Sequence, residues 1–309
     1  MTYHLLSYEA GGSDRAGIKI GDTVWDAAEL TGNPGYVSVI DVLNDWEAAD
    51  ARLATIASMR EAPAGGRPLS SITLLAPVLY PGQIFAAGAN YQDHINEMDA
   101  SAFKAQNAKK AGGRPWFFGK TSRSAVIGPG SVRPLPDYSS KVDWEIELAV
   151  VIGRTASKLR VGEALNYVAG YTVANDLSAR DFVARGGVEP DSPFRFDWLS
   201  HKGFDGALPM GPWITPARFI ADPQALGLQL WIDGELMQDS NTRQMIFSIA
   251  EQIEEISARV TLHPGDVILT GTPSGVGMSR GVFLKPGQQL RLYIEQVGEL
   301  QHGFAKQDS

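Results

Sequence analysis

The chain of 309 residues contains no cysteine, which excludes disulfides, thiolate metal sites and a cysteine nucleophile. Positive charge is also scarce: 27 Lys and Arg face 35 Asp and Glu, for a formal net charge of −8. That balance, with no basic stripe along the sequence, argues against nucleic acid as a partner. No apolar run approaches the roughly 18 residues of a membrane span, and the opening residues lack the basic-then-apolar pattern of a secretory signal. No membrane partner is therefore expected, and a cytoplasmic location is. Internal repeats and low-complexity tracts are missing too. Glycine and proline are plentiful, at 33 and 18 residues, and imply many tight turns in a β-rich fold. With 44% hydrophobic residues, the chain can build a substantial core as one large domain or two.

Short strand patterns (His4–Tyr8, Ala16–Ile20) and helical patterns (Val39–Trp46, Ala51–Met59) fill the first 60 or so residues. The stretch Glu61–Pro68 then interrupts every periodicity with proline and glycine and reads as a connector. It separates a small N-terminal α/β module, residues 1–75, from a main body over 76–309. In that body Ile84–Ala87, Trp116–Phe118, Glu147–Ile152, Tyr171–Ala174 and Val267–Thr270 are short apolar runs bounded by Gly, Pro or Asp. Leu228, Leu230 and Ile232 alternate and meet Asp233-Gly234, a signal for a two-residue hairpin. Ile246, Ile249, Ile253 and Ile256 recur at spacings of three and four, as on an amphipathic helix. Many uneven strands with few helices favour an α+β chain that is mainly β, a sandwich or roll, over a doubly wound sheet.

The most informative stretch is Lys141-Val-Asp143-Trp-Glu145-Ile-Glu147, which runs directly into the apolar Leu148–Ile152. On one strand Asp143, Glu145 and Glu147 share a face, and the apolar run behind them leads into the interior. Carboxylates at the mouth of a buried strand are costly unless paired or bound to a cation. Glu145 and Glu147 would lie about 6.6 Å apart along the strand, close enough to converge on one ion. Asp176 ends another strand pattern, where Ser178 and Asp181 resemble a helix start. An all-oxygen site with few ligands fits Mg²⁺, with Mn²⁺ and Ca²⁺ as alternatives. Taken alone, a Glu-X-Glu pair reads first as a solvated strand face, and the apolar run and Asp176 are what raise the metal reading. The segment Thr270–Gly277 lacks the Gly-Lys-Ser/Thr ending of a phosphate-cradling loop.

Four motifs in order, Gly88-Ala-Asn-Tyr-Gln-Asp-His94-Ile-Asn-Glu97, Asp143–Gly153, Gly170–Asp181 and Ile268–Gly277, resemble the fumarylacetoacetate hydrolase family from about residue 80 onward. The resemblance implies a mixed β-sandwich roll, usually a homodimer, that binds Mg²⁺ or Mn²⁺ through Glu145, Glu147 and Asp176. Animal members with a full tyrosine-pathway role carry a further aspartate ligand where this chain has Asn90, which groups it with bacterial-type members. It also implies that His94 and Glu97 form a dyad on a lid, about residues 91–113, in which the glutamate orients an imidazole acting as general base. Lys202 and Lys120 match basic positions beside the metal, Arg180 a contact to a substrate carboxylate, and Thr272 a hydroxyl hydrogen bond. Val183 replaces a common glutamine, and Ser274 a glutamate of the animal hydrolases. Phe182, Val183 and the 186–196 segment are expected along the distal pocket.

The implied activity is metal-dependent hydrolysis of a carbon–carbon bond in a small 1,3-dicarbonyl oxo acid, such as an acylpyruvate or fumarylpyruvate, through a metal-stabilised enolate. Relatives with the same motifs decarboxylate 2-oxo diacids or isomerise 5-carboxymethyl-2-hydroxymuconate, and these remain alternatives. A non-catalytic binder of oxo acids is disfavoured by the presence of both His94 and Glu97.

Overall fold

A computed structural model describes residues 1–60, 63–98, 109 and 112–306. Most of the 99–113 part of the expected lid, and Glu61 and Ala62 of the connector, therefore lie outside the described residues. The chain opens with an antiparallel meander, Tyr3–Ala10, Ser13–Ile20 and Thr23–Asp26, whose first turn uses Gly11 and Gly12 at positive φ. Asp26 caps the next short helix by accepting from the Ala28 and Glu29 amides. The helices Val39–Asn44 and Trp46–Ala57 follow, the first started by a Ser38–Asp41 capping box. This N-terminal part does not fold against itself alone. Tyr3–Ala10 pairs with Leu208–Pro216 at Leu5–Ile214, and Leu5, Ile18, Leu43 and Leu53 share one core with Leu208, Ile214 and Val267.

The large sheet therefore runs, edge to edge, through Arg67–Pro68, Thr23–Asp26, Ser13–Ile20, Tyr3–Ala10, Leu208–Pro216, Val168–Asn175, Ile146–Ile152, Val267–Leu269, Ile84–Ala87 and Phe117–Gly119. A second sheet orders Glu235–Asn241, Gly227–Ile232, Gln289–Ile294, Gly298–Phe304 and Val132–Arg133. The Asp233-Gly234 hairpin joins two of these strands with both residues at positive φ, as a type I′ turn requires. The helix read from its isoleucines spans Ile249–Ser257 and starts at a Ser248–Glu251 capping box. The result is a mixed β-sandwich roll.

Strand parity explains how the sandwich positions the acids. Ile146, Leu148, Val150 and Ile152 point into the core shared with Leu228, Leu230, Leu290 and Leu292 of the second sheet. Ala149 and Val151 face the other way, toward the N-terminal helices, and Glu147 shares their parity. Both faces of this strand are buried, so the carboxylate has no route to bulk water along it.

Two local expectations are corrected. Val142–Asp143 and Ile146–Ile152 are separate strands, because the ladder breaks at Trp144–Glu145. There the Glu145 amide donates to Asn175 Oδ1 and the Ile146 amide to Gln238 Oε1, so side chains replace a neighbouring strand. Ser178 and Asp181 do not start a capped helix. Ser178–Ala179 pairs with Val142–Asp143, and Asp181, within the single 3₁₀ turn Arg180–Phe182, accepts from Ser139 and Ser140.

Trp144, wholly buried at the break, donates its indole N–H to the Gly275 carbonyl at 3.1 Å. Trp144→Ala is expected to cost about 3–5 kcal/mol in denaturant unfolding, and Trp144→Phe only about 1–2 kcal/mol through the lost hydrogen bond and smaller ring. Equal costs would show that packing at the break is not what Trp144 supplies.

Candidate active site

Tyr91 leads into the helix Gln92–Glu97, which carries His94 and Glu97 on one face. The residue before it, Asn90, is fully committed: its amide donates to the Phe247 and Thr270 carbonyls and accepts from the Phe247 amide. It anchors the start of this helix and is spent on backbone. His94 Nδ1 lies 2.6 Å from Glu97 Oε1, and Glu97 Oε2 accepts from the Gly275 amide at 2.8 Å and from Ser279 at 3.0 Å. Burial pushes the Glu97 carboxyl up, but His94 and the Gly275 amide outweigh it and hold the group below its ordinary range. An ionised Glu97 accepting from Nδ1–H leaves His94 Nε2 as the basic nitrogen.

Glu145, Glu147 and Asp176 offer carboxylate oxygens that all lie within 4.8 Å of one another, and all three side chains are buried. Lys202 Nζ reaches Glu145 Oε2 and Asp176 Oδ2, both at 2.6 Å, and Lys120 Nζ reaches Asp176 Oδ1 at 2.5 Å. Arg180 bridges Asp143 at 2.8 Å and Glu145 at 2.5 Å. Asp143 also accepts from the Gly277 and Met278 amides, so it holds Arg180 against the Gly277–Arg280 turn and stays outside the acidic cluster.

Four carboxylates (Asp143, Glu145, Glu147 and Asp176) thus share three cations (Lys120, Arg180 and Lys202), and all but Glu147 have an ion-pair partner. Burial raises the Glu145 carboxyl, but Lys202 and Arg180 overcome it and draw the group well below its usual range. Among the described residues Glu147 has only the Gly271 amide, at 2.6 Å, and burial beside Asp176 and Glu145 drives it well above the carboxylate range. On Lys202 burial is outweighed by Asp176 and Glu145, which raise the ammonium, whereas burial prevails at Lys120 and lowers it. The unbalanced charge sits at Glu147. A divalent cation there would supply the missing positive charge and leave one in excess for an anionic ligand, so the donor set fits a hard, oxygen-loving ion.

His94 of the dyad and Glu145 and Glu147 of the triad line one cavity of about 520 Å³, together with Arg180, Lys202 and Thr272. The Thr272 hydroxyl donates to the Ile146 carbonyl and accepts from Gln238, so it can meet a ligand only with a lone pair. Val183 lines the cavity as expected, while Phe182 turns away and packs edge-to-face on Tyr138.

Residues 83–305 match the family described as Fumarylacetoacetate (FAA) hydrolase C-terminal. The chain belongs to the fumarylacetoacetate hydrolase family. It is 42% identical over 233 residues to the oxaloacetate tautomerase Fahd2a, mitochondrial, of Rattus norvegicus, covering 75% of this chain and 69% of that one. Its structure resembles maleylpyruvate hydrolase from Sphingobium sp. SYK-6, solved with manganese(II) and pyruvate, at a TM-score of 0.75 and 30% identity over 99% and 100% of the two chains. It also resembles 5-carboxymethyl-2-hydroxymuconate delta-isomerase from Mycobacterium smegmatis, at a TM-score of 0.71 and 27% identity over 99% and 100%. The family thus joins tautomerase, hydrolase and isomerase relatives, and the chain is an enzyme of this group. Among the described residues, no helix is long and apolar enough to cross a membrane.

Sequence reasoning missed two features. The first is a buried relay in which His302 Nε2 accepts from the Asn175 amide and Asn175 Oδ1 accepts from the Glu145 N–H. Only the fold brings residue 302 to residue 175, so no local spacing announces it. His302 is fully buried with Nδ1 unpartnered, and burial lowers it to about 3. The unfolded chain therefore takes up this proton near pH 6.5 and the folded chain does not, so stability falls as pH drops from about 6.5 toward 3. Between pH 7 and 5 the wild type should lose about 2 kcal/mol more than His302→Gln in urea unfolding. Equal losses would place the acid sensitivity elsewhere. The second missed feature is the part of the cavity's aromatic lining formed by Trp116, Phe118 and Trp198, whereas Phe196 falls in the segment expected there.

Proposed function

We propose that the protein is a cytoplasmic, homodimeric, metal-dependent hydrolase that cleaves a carbon–carbon bond in a small 1,3-dicarbonyl oxo acid of the acylpyruvate type. The observation that supports this most is one cavity lined by a Glu97-oriented imidazole and by Glu145 and Glu147 of a buried three-carboxylate cluster. Glu145, Glu147 and Asp176 would hold Mg²⁺ or Mn²⁺, and the manganese(II) in the Sphingobium relative favours this assignment. When bound, such an ion acts as a Lewis acid that polarises the 2-oxo group of the substrate.

The chain's own residues do the rest. His94 Nε2 takes a proton from water as the oxygen attacks the distal carbonyl carbon, and Glu97 stabilises the resulting imidazolium. Lys202, kept charged by its two carboxylates, stabilises negative charge developing on oxygen. The bond between the attacked carbonyl and the methylene carbon breaks, its electron pair passes to the pyruvate enolate, and a carboxylic acid leaves. The proton on His94 is returned to the enolate carbon, giving pyruvate and a free base.

A second reading is proton transfer alone, keto–enol tautomerisation or double-bond isomerisation by the same dyad. The higher identity to the rat tautomerase, 42% against 30% for the hydrolase, favours weighing it. A panel of acylpyruvates, fumarylpyruvate, oxaloacetate and carboxymethyl-hydroxymuconate with Mg²⁺ or Mn²⁺ separates the readings. Pyruvate plus a second acid is the expected result. Unchanged mass with a shifted spectrum supports proton transfer, CO₂ indicates decarboxylation, and either in place of cleavage overturns the hydrolase. Sedimentation at micromolar concentration checks the dimer.

A further inference from the structure

Away from the carboxylates the cavity changes character. Phe118 and Trp198 stack with centroids 4.8 Å apart and planes 13° apart, and Phe196 continues the stack at 5.8 Å and 29°. Trp116 leans on Trp198 at 5.7 Å, and Val183 and Met98 complete this end. The wall begins at the acidic centre itself, because the Lys202 ammonium sits 5.3 Å from the Phe118 ring centre. Among the described residues lining the cavity, Arg180 and Lys202 are the only lysine or arginine, and each is already paired with two carboxylates. Besides these two and His94, Glu145 and Glu147, the described lining has one further titratable group, His201, whose Nδ1 is tied to the Ala179 carbonyl. Burial and the neighbouring Lys202 lower His201 to about 3, so it brings no positive charge at neutral pH.

We infer that the site selects 2-oxo acids whose distal substituent is uncharged and apolar, an aryl or alkyl acyl group, over diacids of the same length. This rests on the proposed reading that a 2-oxo carboxylate head group docks at the acidic centre. A second carboxylate at the far end would lose its hydration against ring faces that carry negative potential, with no uncommitted lysine or arginine among the described residues of the lining to meet it. A phenyl or alkyl tail at the same place buries apolar surface and stacks on Trp198 and Phe196. The substrate is then an acylpyruvate with an aryl or alkyl acyl group, and the products are pyruvate and a monocarboxylic acid.

The test uses wild-type protein with Mg²⁺ and two uncleavable 2-oxo acids of matched reach, 2-oxo-4-phenylbutanoate and 2-oxoadipate, titrated by calorimetry. Parallel kinetics compare benzoylpyruvate with fumarylpyruvate. The phenyl ligand should bind at least tenfold more tightly, and benzoylpyruvate should show the higher kcat/KM. Val183→Arg should reverse the binding preference, and Phe196→Ala, at the half-exposed rim, should reduce it severalfold without threatening the fold. Equal or tighter binding of 2-oxoadipate by the wild type overturns the inference and leaves the head-group reading intact. If neither ligand binds, the head-group reading itself fails and this inference fails with it.

Discussion

Glu147→Gln should abolish divalent-cation binding and lower turnover by on the order of 10³-fold, yet leave the metal-free protein as stable as the wild type. The contrast follows from the charge pattern. Without a cation Glu147 is driven well above the carboxylate range by burial beside Asp176 and Glu145, so a neutral amide of the same shape replaces a neutral acid. The Gln oxygen can still accept from the Gly271 amide that Glu147 holds at 2.6 Å. Asp176→Asn behaves oppositely. It strips partners from both Lys120 and Lys202 inside the protein and should cost about 3–5 kcal/mol even before any metal is added. Metal content after dialysis and urea midpoints in chelator measure both effects. A Glu147→Gln protein that unfolds as readily as Asp176→Asn would show that Glu147 is a structural acid.

The second large effect falls on His94. His94→Asn should reduce kcat by about 10²–10⁴-fold with little change in KM, because the imidazole acts on the proton in flight more than on the bound ground state. Glu97→Gln keeps the contact to His94 but removes the charge that stabilises imidazolium, so a smaller loss of about 10–100-fold is expected. Both variants should still bind a divalent ion as the wild type does. Pre-steady-state measurement of pyruvate release distinguishes a slowed chemical step from slowed product departure. Full activity in His94→Asn would remove the dyad from the mechanism.

The legible part of this protein was the part written in short local patterns. Glu145 and Glu147 were visible because alternation followed by an apolar run puts them on one buried face, and Asp233-Gly234 because both residues accept positive φ. The His94–Glu97 pair was visible through the family resemblance, its spacing of three only placing both on one face of a helix. The break at Trp144–Glu145 was not, since the groups that satisfy it, Asn175 and Gln238, come from 30 and 92 residues away. The sequence groups Asp143 with the two glutamates on one face as a neighbour of the centre but does not show its partners: its oxygens are taken by Arg180 and the 277–278 amides. The continuity of the N-terminal strands with the large sheet was also hidden, because strand pairing across 200 residues leaves no periodicity in either partner. Phe118 read as part of a short apolar strand and Trp198 carried no local signal, and only their stacking beside Lys202 on the cavity wall shows that they face a ligand.

The central claim is that Glu145, Glu147 and Asp176 together hold one divalent ion beside the His94 dyad. Crystals grown with Mn²⁺ and recorded on both sides of the manganese absorption edge test it directly. The account predicts a single strong anomalous peak per chain, bonded to an oxygen of each of the three carboxylates. A fully occupied Mn²⁺ peak elsewhere, or none within bonding distance of Glu147, would contradict it.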